Sequence, residues 1–323
     1  MRSFIAVLKN DYMRTVKYIV AFIIMTAVTV GFIFLAVYMT GIQEKGRIAL
    51  VSSNSEAKSY DSKGLQVTVL RKRPPYSDLV KQKYEAIVIT GKNGQYQVQT
   101  LFSDKLKNEV LTLLQHPGMH AEKSEGNRGT GVNILGFMMM TLIMMAFWTQ
   151  FVLADDKENV QLPRVAVSPI RFGTYLAAHC VYSLSLLLPE FIAITALKLS
   201  GWNIGFSLAQ YAYLMAATGF LGISFAMLLH SLISKSDNAD MLGNAVTILS
   251  TILAGSYYSM SSKNSVMDAV VSALPQKQIM NYAQALQNGT GAQHFGYFLY
   301  AVLFSAALFT VSSAVLKRKY IRT

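Results

Sequence analysis

The chain is poor in three things. It has one cysteine, Cys180, in 323 residues, so no intrachain disulfide and no Cys-based zinc site can form. Only 14% of its residues are charged, against roughly 25% in an ordinary soluble domain, which excludes a cytosolic enzyme with a wholly polar surface. The motifs of nucleotide and hydrolytic chemistry are the third absence. No G-x-x-x-x-G-K-[ST] occurs, so there is no P-loop to cradle ATP. H-E-x-x-H and G-x-S-x-G are missing as well, and with them the usual protease and hydrolase signatures. His116 and His120 stand four apart, but Pro117 and Gly118 between them spoil a shared helical face. Neither catalysis by this chain alone nor a bound metal or cofactor is expected.

What is present is apolar. Hydrophobic residues make up 52% of the chain, and they gather in long charge-free runs. The formal charge of +12 is not collected on one soluble face, so nucleic acid is not an expected partner. About 20 mainly apolar residues cross a bilayer as a helix. Tyr18–Met39, Asn133–Ala154, Gly173–Leu197, Ile204–Ile233, Met241–Ser262 and Phe295–Leu316 meet that requirement. The fold class expected is an α-helical integral membrane protein with six transmembrane helices.

Lys and Arg in short flanks stay in the cytoplasm. Arg2, Lys9, Arg14 and Lys17 precede the first span, and Lys317, Arg318, Lys319 and Arg322 follow the last. Both termini are therefore expected in the cytoplasm, with the segment 155–171. The first apolar run is too long for a signal-peptide core and reads as a retained span. Before it, Phe4, Ile5, Val7, Leu8 and Tyr12 alternate with basic positions at near-helical spacing, which suits a helix lying in the membrane interface. An ordinary basic flank explains the same residues.

Residues 40–132 have a soluble composition and read as a small external α/β module between spans one and two. Arg47–Val51 and Leu65–Leu70 are expected strands. Tyr84–Thr90 and Gln95–Leu101 form a pair through Gly91-Lys92-Asn93-Gly94, where Asn-Gly is a strong hairpin signal. Ser103 precedes a helix expected over Asp104–Gln115. Its cationic residues, Arg71, Lys72 and Arg73 among them, suit either a solvated face or acidic lipids and polymers. The remaining divisions are a cytoplasmic segment 1–17, span one over 18–39, the five later spans over 133–316 and a basic tail over 317–323.

The segment Asp155-Asp156-Lys157-Glu158-Asn159-Val160-Gln161-Leu162-Pro163-Arg164-Val165-Ala166-Val167-Ser168-Pro169-Ile170 then makes the layout recognisable. It resembles the coupling helix of the type-2 ABC transporter permeases, with an acidic start and a Val-Ser/Thr-Pro-Ile ending. Tyr175-Leu176 fits the same pattern. Val160-Gln161 stands where that family has Gly-Thr, and Pro163 where it has Glu. Leu249-Ser250 through Ala254-Gly255, and Leu274-Pro275, look like the family's broken fifth span and the short helices after it. Glu85–Ile89 is similar to a strand of its inserted domain.

The resemblance implies a membrane permease of an ABC exporter. Its ATP would be hydrolysed by a separate subunit present in two copies, beside a second permease chain that is either a copy or a sister protein. It also implies coupling to the ATPase through Asp155, Glu158, Leu162, Arg164, Ser168 and Pro169. The expected location is a bacterial plasma membrane. The expected cargo is an amphipathic or lipophilic compound such as a drug or antimicrobial peptide, with sodium or polysaccharide export as alternatives inside the family. A membrane-anchored sensor with an external ligand-binding module is the alternative outside it.

Inside the spans, four residues are candidates for a translocation path. Glu190 follows Pro189 in span three, where a carboxylate costs roughly 2.5–3.5 kcal/mol at a helix centre. It reads as a polar contact or gate, or as a carboxylate paired or snorkelling near the outer interface. Met140 belongs to a cluster with Phe137, Met138, Met139, Met144 and Met145, suited to varied apolar partners or to ordinary packing. Gly255 and Tyr257 sit where span five is expected to break, placing a gate near Ser250–Met260.

Overall fold

A computed structural model describes residues 2–43, 46–51, 60–62, 65–75, 77–80, 84, 86–90, 96–100, 111, 128–257 and 265–320. The chain forms two compact units, one of Met1–Val37 with Gly129–Thr323 and one of Tyr38–Arg128.

In the first unit α1 (Arg2–Thr15) runs through a 3-10 turn, Val16–Tyr18, into α2 (Ile19–Gln43). After the sheet unit, which holds the short helix α3 (Ser77–Val80), come α4 (Thr130–Thr149) and α5 (Phe151–Glu158), with a bend at Gln150. The short α6 (Gln161–Val167) leads to α7 (Phe172–Ser185) and α8 (Leu188–Leu199). Then follow α9 (Leu208–Leu232), α10 (Ser236–Leu253), α11 (Ser265–Ser272), α12 (Pro275–Gln287) and α13 (Phe295–Tyr320).

Among the described residues, five helical stretches are long and apolar enough to cross a membrane: Arg2–Thr40, Thr130–Glu158, Phe172–Leu199, Leu208–Leu232 and Phe295–Arg318. They overlap the expected spans one to four and six. The third is interrupted at Leu186–Leu187, because Pro189 in the first turn of α8 has no N–H to continue the ladder. α9 starts at Ser207, whose hydroxyl accepts from Gln210 N at 3.2 Å while the Gln210 side chain accepts from Ser207 N at 2.7 Å, a reciprocal cap.

The expected fifth span differs. Over Met241–Ser262 the structure has an 18-residue helix that begins earlier, at Ser236, and ends at Leu253. It is not among the five apolar stretches, since Asp237, Asn238, Asp240 and Asn244 lie in its first half. Gly255 stops it. With φ +76°, Gly255 donates to Ile252 O at 2.9 Å, and Ser256 N donates to Thr251 O at 3.2 Å. This left-handed helix ending favours glycine. Residues 258–262 lie outside the described residues.

α10 turns Ser236, Ala239, Gly243, Thr247, Ser250 and Thr251 inward and leaves Met241, Leu242, Val246, Ile248 and Leu249 exposed. Small and polar residues inside with apolar ones outside is the reverse of a water-soluble helix and the normal pattern for helix packing in lipid. α4 is the centre of the unit: Ile134, Leu135, Met138, Met139 and Leu142 are fully buried and pack with residues of α2, α8, α9 and α12. Three of the clustered methionines, Met138, Met139 and Met145, are therefore core. At Gly136 an added Cβ would lie 2.0 Å from Ser256 O, so only glycine lets α4 approach the end of α10 this closely.

The second unit is a five-stranded sheet in the order β2-β3-β1-β4-β5, with β1 Gly46–Val51, β2 Tyr60–Ser62, β3 Leu65–Leu70, β4 Ala86–Thr90 and β5 Tyr96–Thr100. β1 pairs in parallel with β3 and β4, while β2 and β5 add antiparallel edges. Alternation buries Ile48, Ala86, Val88 and Val98 on one face and Ala49 and Ile87, under Leu79 of α3, on the other. Of the helix expected over Asp104–Gln115 only Leu111 is described; it is helical and packs on the first face. The turn 91–94 and Glu85 lie outside the described residues.

Candidate coupling site and membrane path

Four successive charged residues end the second membrane stretch. A helix turns about 100° per residue, so Asp155, Asp156, Lys157 and Glu158 fan out around α5 and reach different neighbours. Arg14 of α1 donates to Asp156 Oδ1 at 2.7 Å, to Asp155 Oδ2 at 3.1 Å and to Val152 O at 3.2 Å. The other Asp156 oxygen accepts from the Tyr175 hydroxyl of α7 at 2.5 Å. Lys157 donates to His230 O at 3.3 Å and Ile233 O at 2.9 Å, satisfying the carbonyl end of α9. Glu158 accepts from Ser236 N at 2.7 Å, placing a carboxylate at the amino end of α10. His230 Nε2 lies 3.3 Å from Asp240 Oδ1 and ties the same two helix ends.

The roles expected of the segment are redistributed by this geometry. Asp155 and Glu158, the acidic residues expected to couple to an ATPase, are both bonded inside the chain, and both keep exposed surface, the Asp155 side chain 43%. Leu162 is fully buried among Leu153, Tyr175, Leu176, Ile223 and Leu316, so it anchors α6 rather than offering a contact. The Ser168 hydroxyl donates to Val165 O at 2.7 Å and accepts from Ile170 N at 3.3 Å, which closes the turn after α6. Arg164 and Pro169 are exposed. Around them stand Val160, 64% exposed, and Val167, 88% exposed, two apolar side chains on a tip between membrane stretches. Val160 has φ +53°, a left-handed conformation that is strained for a β-branched residue. The glycine in the family's pattern at this place would adopt it freely.

The membrane candidates separate into two places. The Tyr257 hydroxyl donates to Met140 Sδ at 3.2 Å, the Tyr257 ring meets Phe137 edge-on at 5.2 Å, and Phe137 lies 6.5 Å from Phe32 of α2. Gly255 stands at the helix end beside them. Met140, Gly255 and Tyr257 therefore belong to one partly exposed cluster joining α2, α4 and the end of α10. Glu190 is elsewhere. It is 0% exposed, in the first turn of α8, and faces the Thr26 hydroxyl of α2 without a well-formed hydrogen bond to either oxygen among the described residues.

Sequence reasoning gave no partners for Arg14, Lys157 and Tyr175. A signal existed for Lys157, since four charges in a row on a helix cannot share one face, and Tyr175 was noted only as part of the family pattern. The pairing of Arg14 and Tyr175 with Asp156 left no trace, because they meet it from 142 and 19 positions away.

No curated protein matches the chain in direct sequence comparison. The profile of the ABC-2 type transporter family matches residues 110–288, more than half of the chain, and takes in α4 to α12 with the α5–α6 segment at its heart. The chain belongs to the ABC-2 type transporter family, as a multi-pass membrane permease component and not the ATP-binding subunit.

Proposed function

We propose that this chain is the permease of an ATP-driven exporter in a bacterial plasma membrane, moving an amphipathic or lipophilic compound outward. The observation that carries the reading is the α5–α6 tip: apolar Val160 and Val167 with Arg164 and Pro169, exposed on a segment that Asp155, Asp156, Lys157, Glu158 and Leu162 fasten to several helices. A rigid base with an exposed apolar tip suits docking into a cleft of an ATP-binding subunit, present in two copies beside a second permease chain. In this reading α10 completes a sixth span, both termini are cytoplasmic and the sheet unit is external. The polar-inward face of α10 and the Met140–Tyr257 cluster suit a path for a compound with polar and apolar parts.

The test is purification of tagged protein from native membranes in gentle detergent, with identification of what co-elutes in comparable amount. A P-loop subunit is expected, and Val167→Asp should reduce its recovery at least tenfold while leaving the permease intact. If no such subunit appears under several mild conditions, the exporter reading fails and a membrane-anchored sensor replaces it. A six-span sister chain in the eluate would decide for a heterodimer.

A further inference from the structure

Docking at the tip leaves α1 without a role, yet α1 is bound to the docking segment. It packs along α7, where Asp11 Oδ2 lies 2.8 Å from His179 Nδ1, Thr15 meets the Tyr182 hydroxyl and Tyr12 meets Ser185. Asp11, His179, Thr15 and Tyr182 are all buried. Towards α5 and α6 the arrangement is different. A cavity of about 730 Å³ opens between α1 and the segment, lined in part by Asn10, Asp11, Arg14, Asn159, Gln161 and Arg164. Arg14 bridges to α5 at the edge of that space.

We infer that Arg14 is a positioning residue that makes α1 and α7 follow the coupling segment when a partner displaces it; the inference rests on the permease reading above. Three features carry it. The guanidinium engages three acceptors on α5 at once, Val152 O, Asp155 and Asp156, and this fixes its direction as well as its distance. Asp156 also accepts from Tyr175, so one carboxylate joins α1, α5 and α7. The cavity leaves α6 room to shift beside α1, while the charged joint is mostly buried (Arg14 and Asp156 side chains 23% and 12% exposed), so parting it would strand charge away from water. Motion of the tip is thereby passed on to α1 and, through Asp11, Thr15 and Tyr12, along the third span. A lysine at position 14 could meet the acceptors only singly.

The test uses the permease with its co-purified ATP-binding subunit in lipid nanodiscs. An environment-sensitive fluorophore is placed on α1 at Met13→Cys, an exposed position, in a Cys180→Ala background. Addition of Mg-ATP should change its emission. Arg14→Gln should reduce that change at least tenfold with the ATP-binding subunit still present in equal amount, and Arg14→Lys should restore part of it. An undiminished change in Arg14→Gln, or no change with Arg14 intact, overturns the proposal. So does loss of the partner subunit or of thermal stability in both variants, which would make Arg14 a part of the fold or of the docking face. If no ATP-binding subunit co-elutes even with Arg14 in place, the permease reading itself has failed, and this inference goes with it.

Discussion

Two acidic residues of this chain stand at the amino ends of helices and meet opposite fates. Glu158, exposed at the end of α5, reaches Ser236 N at the start of α10, so its charge has both a donor and water. Glu190 stands in the first turn of α8, fully buried, facing Thr26 and its own helix amide, with neither carboxyl oxygen in a well-formed hydrogen bond among the described residues. A helix amino end offers about half a positive charge, enough to settle a solvated carboxylate but not to replace hydration. The segment 155–158 thus ties its charges into the fold, while the membrane unit encloses a carboxyl that makes no well-formed hydrogen bond among the described residues.

The contrast can be broken most forcefully at Asp156. Asp156→Ala removes the acceptor shared by Arg14 and Tyr175 and leaves a half-buried guanidinium short of a partner. A loss of about 3 kcal/mol is expected, read as a drop in thermal unfolding temperature of the purified protein. A loss below about 1 kcal/mol would place the segment's charges on a par with surface pairs. Gly136→Ala tests the interior instead. Its Cβ would meet the backbone oxygen of Ser256, which cannot give way as a side chain can. About 1–3 kcal/mol should be lost to overpacking, with the environment of Tyr257 disturbed in its fluorescence.

Glu190→Gln should act in the other direction. Keeping the shape while removing the unpartnered charge is expected to raise stability by about 1 kcal/mol, while export falls if the carboxylate serves the path. A variant both less stable and fully active would make Glu190 a structural residue like Glu158. The smallest effect is expected at Val160→Gly. Relief of the left-handed strain, about 1–2 kcal/mol, is offset by glycine's entropy of about 0.5–1 kcal/mol. A net gain of at most about 1.5 kcal/mol should appear as a small rise in unfolding temperature.

Much of the layout was legible along the chain. Charge-free runs located five membrane stretches, and Gly255 marked a real interruption of the helical ladder, while the break before Pro189 was not read. Period-two alternation found β1, β3 and the β4–β5 pair. The three-residue β2 and four-residue α3 were too short to leave a pattern. α10 was harder to read because its hydropathy averages a polar inward face with an apolar outward one; only the direction of each side chain separates them. Within the segment 155–170, the charge pattern was legible and the internal partners of each residue were not: Leu162 is buried core, and Asp155 and Glu158 each have a partner inside the chain while keeping exposed surface.

The sequence by itself determined that this chain enters a bilayer, because the transfer energy of an apolar run depends on composition and length and not on its neighbours. It determined too that this chain carries no P-loop, since such a phosphate cradle is a local motif and none is written in the sequence. Only the tertiary structure decided what each charge is for. Arg14 and Asp156 are 142 positions apart, and a pairing across that distance is written in how α1 lies against α5 and α7, not in either residue's surroundings along the chain. The same holds for Glu190: its isolation is a property of the helices that close around it.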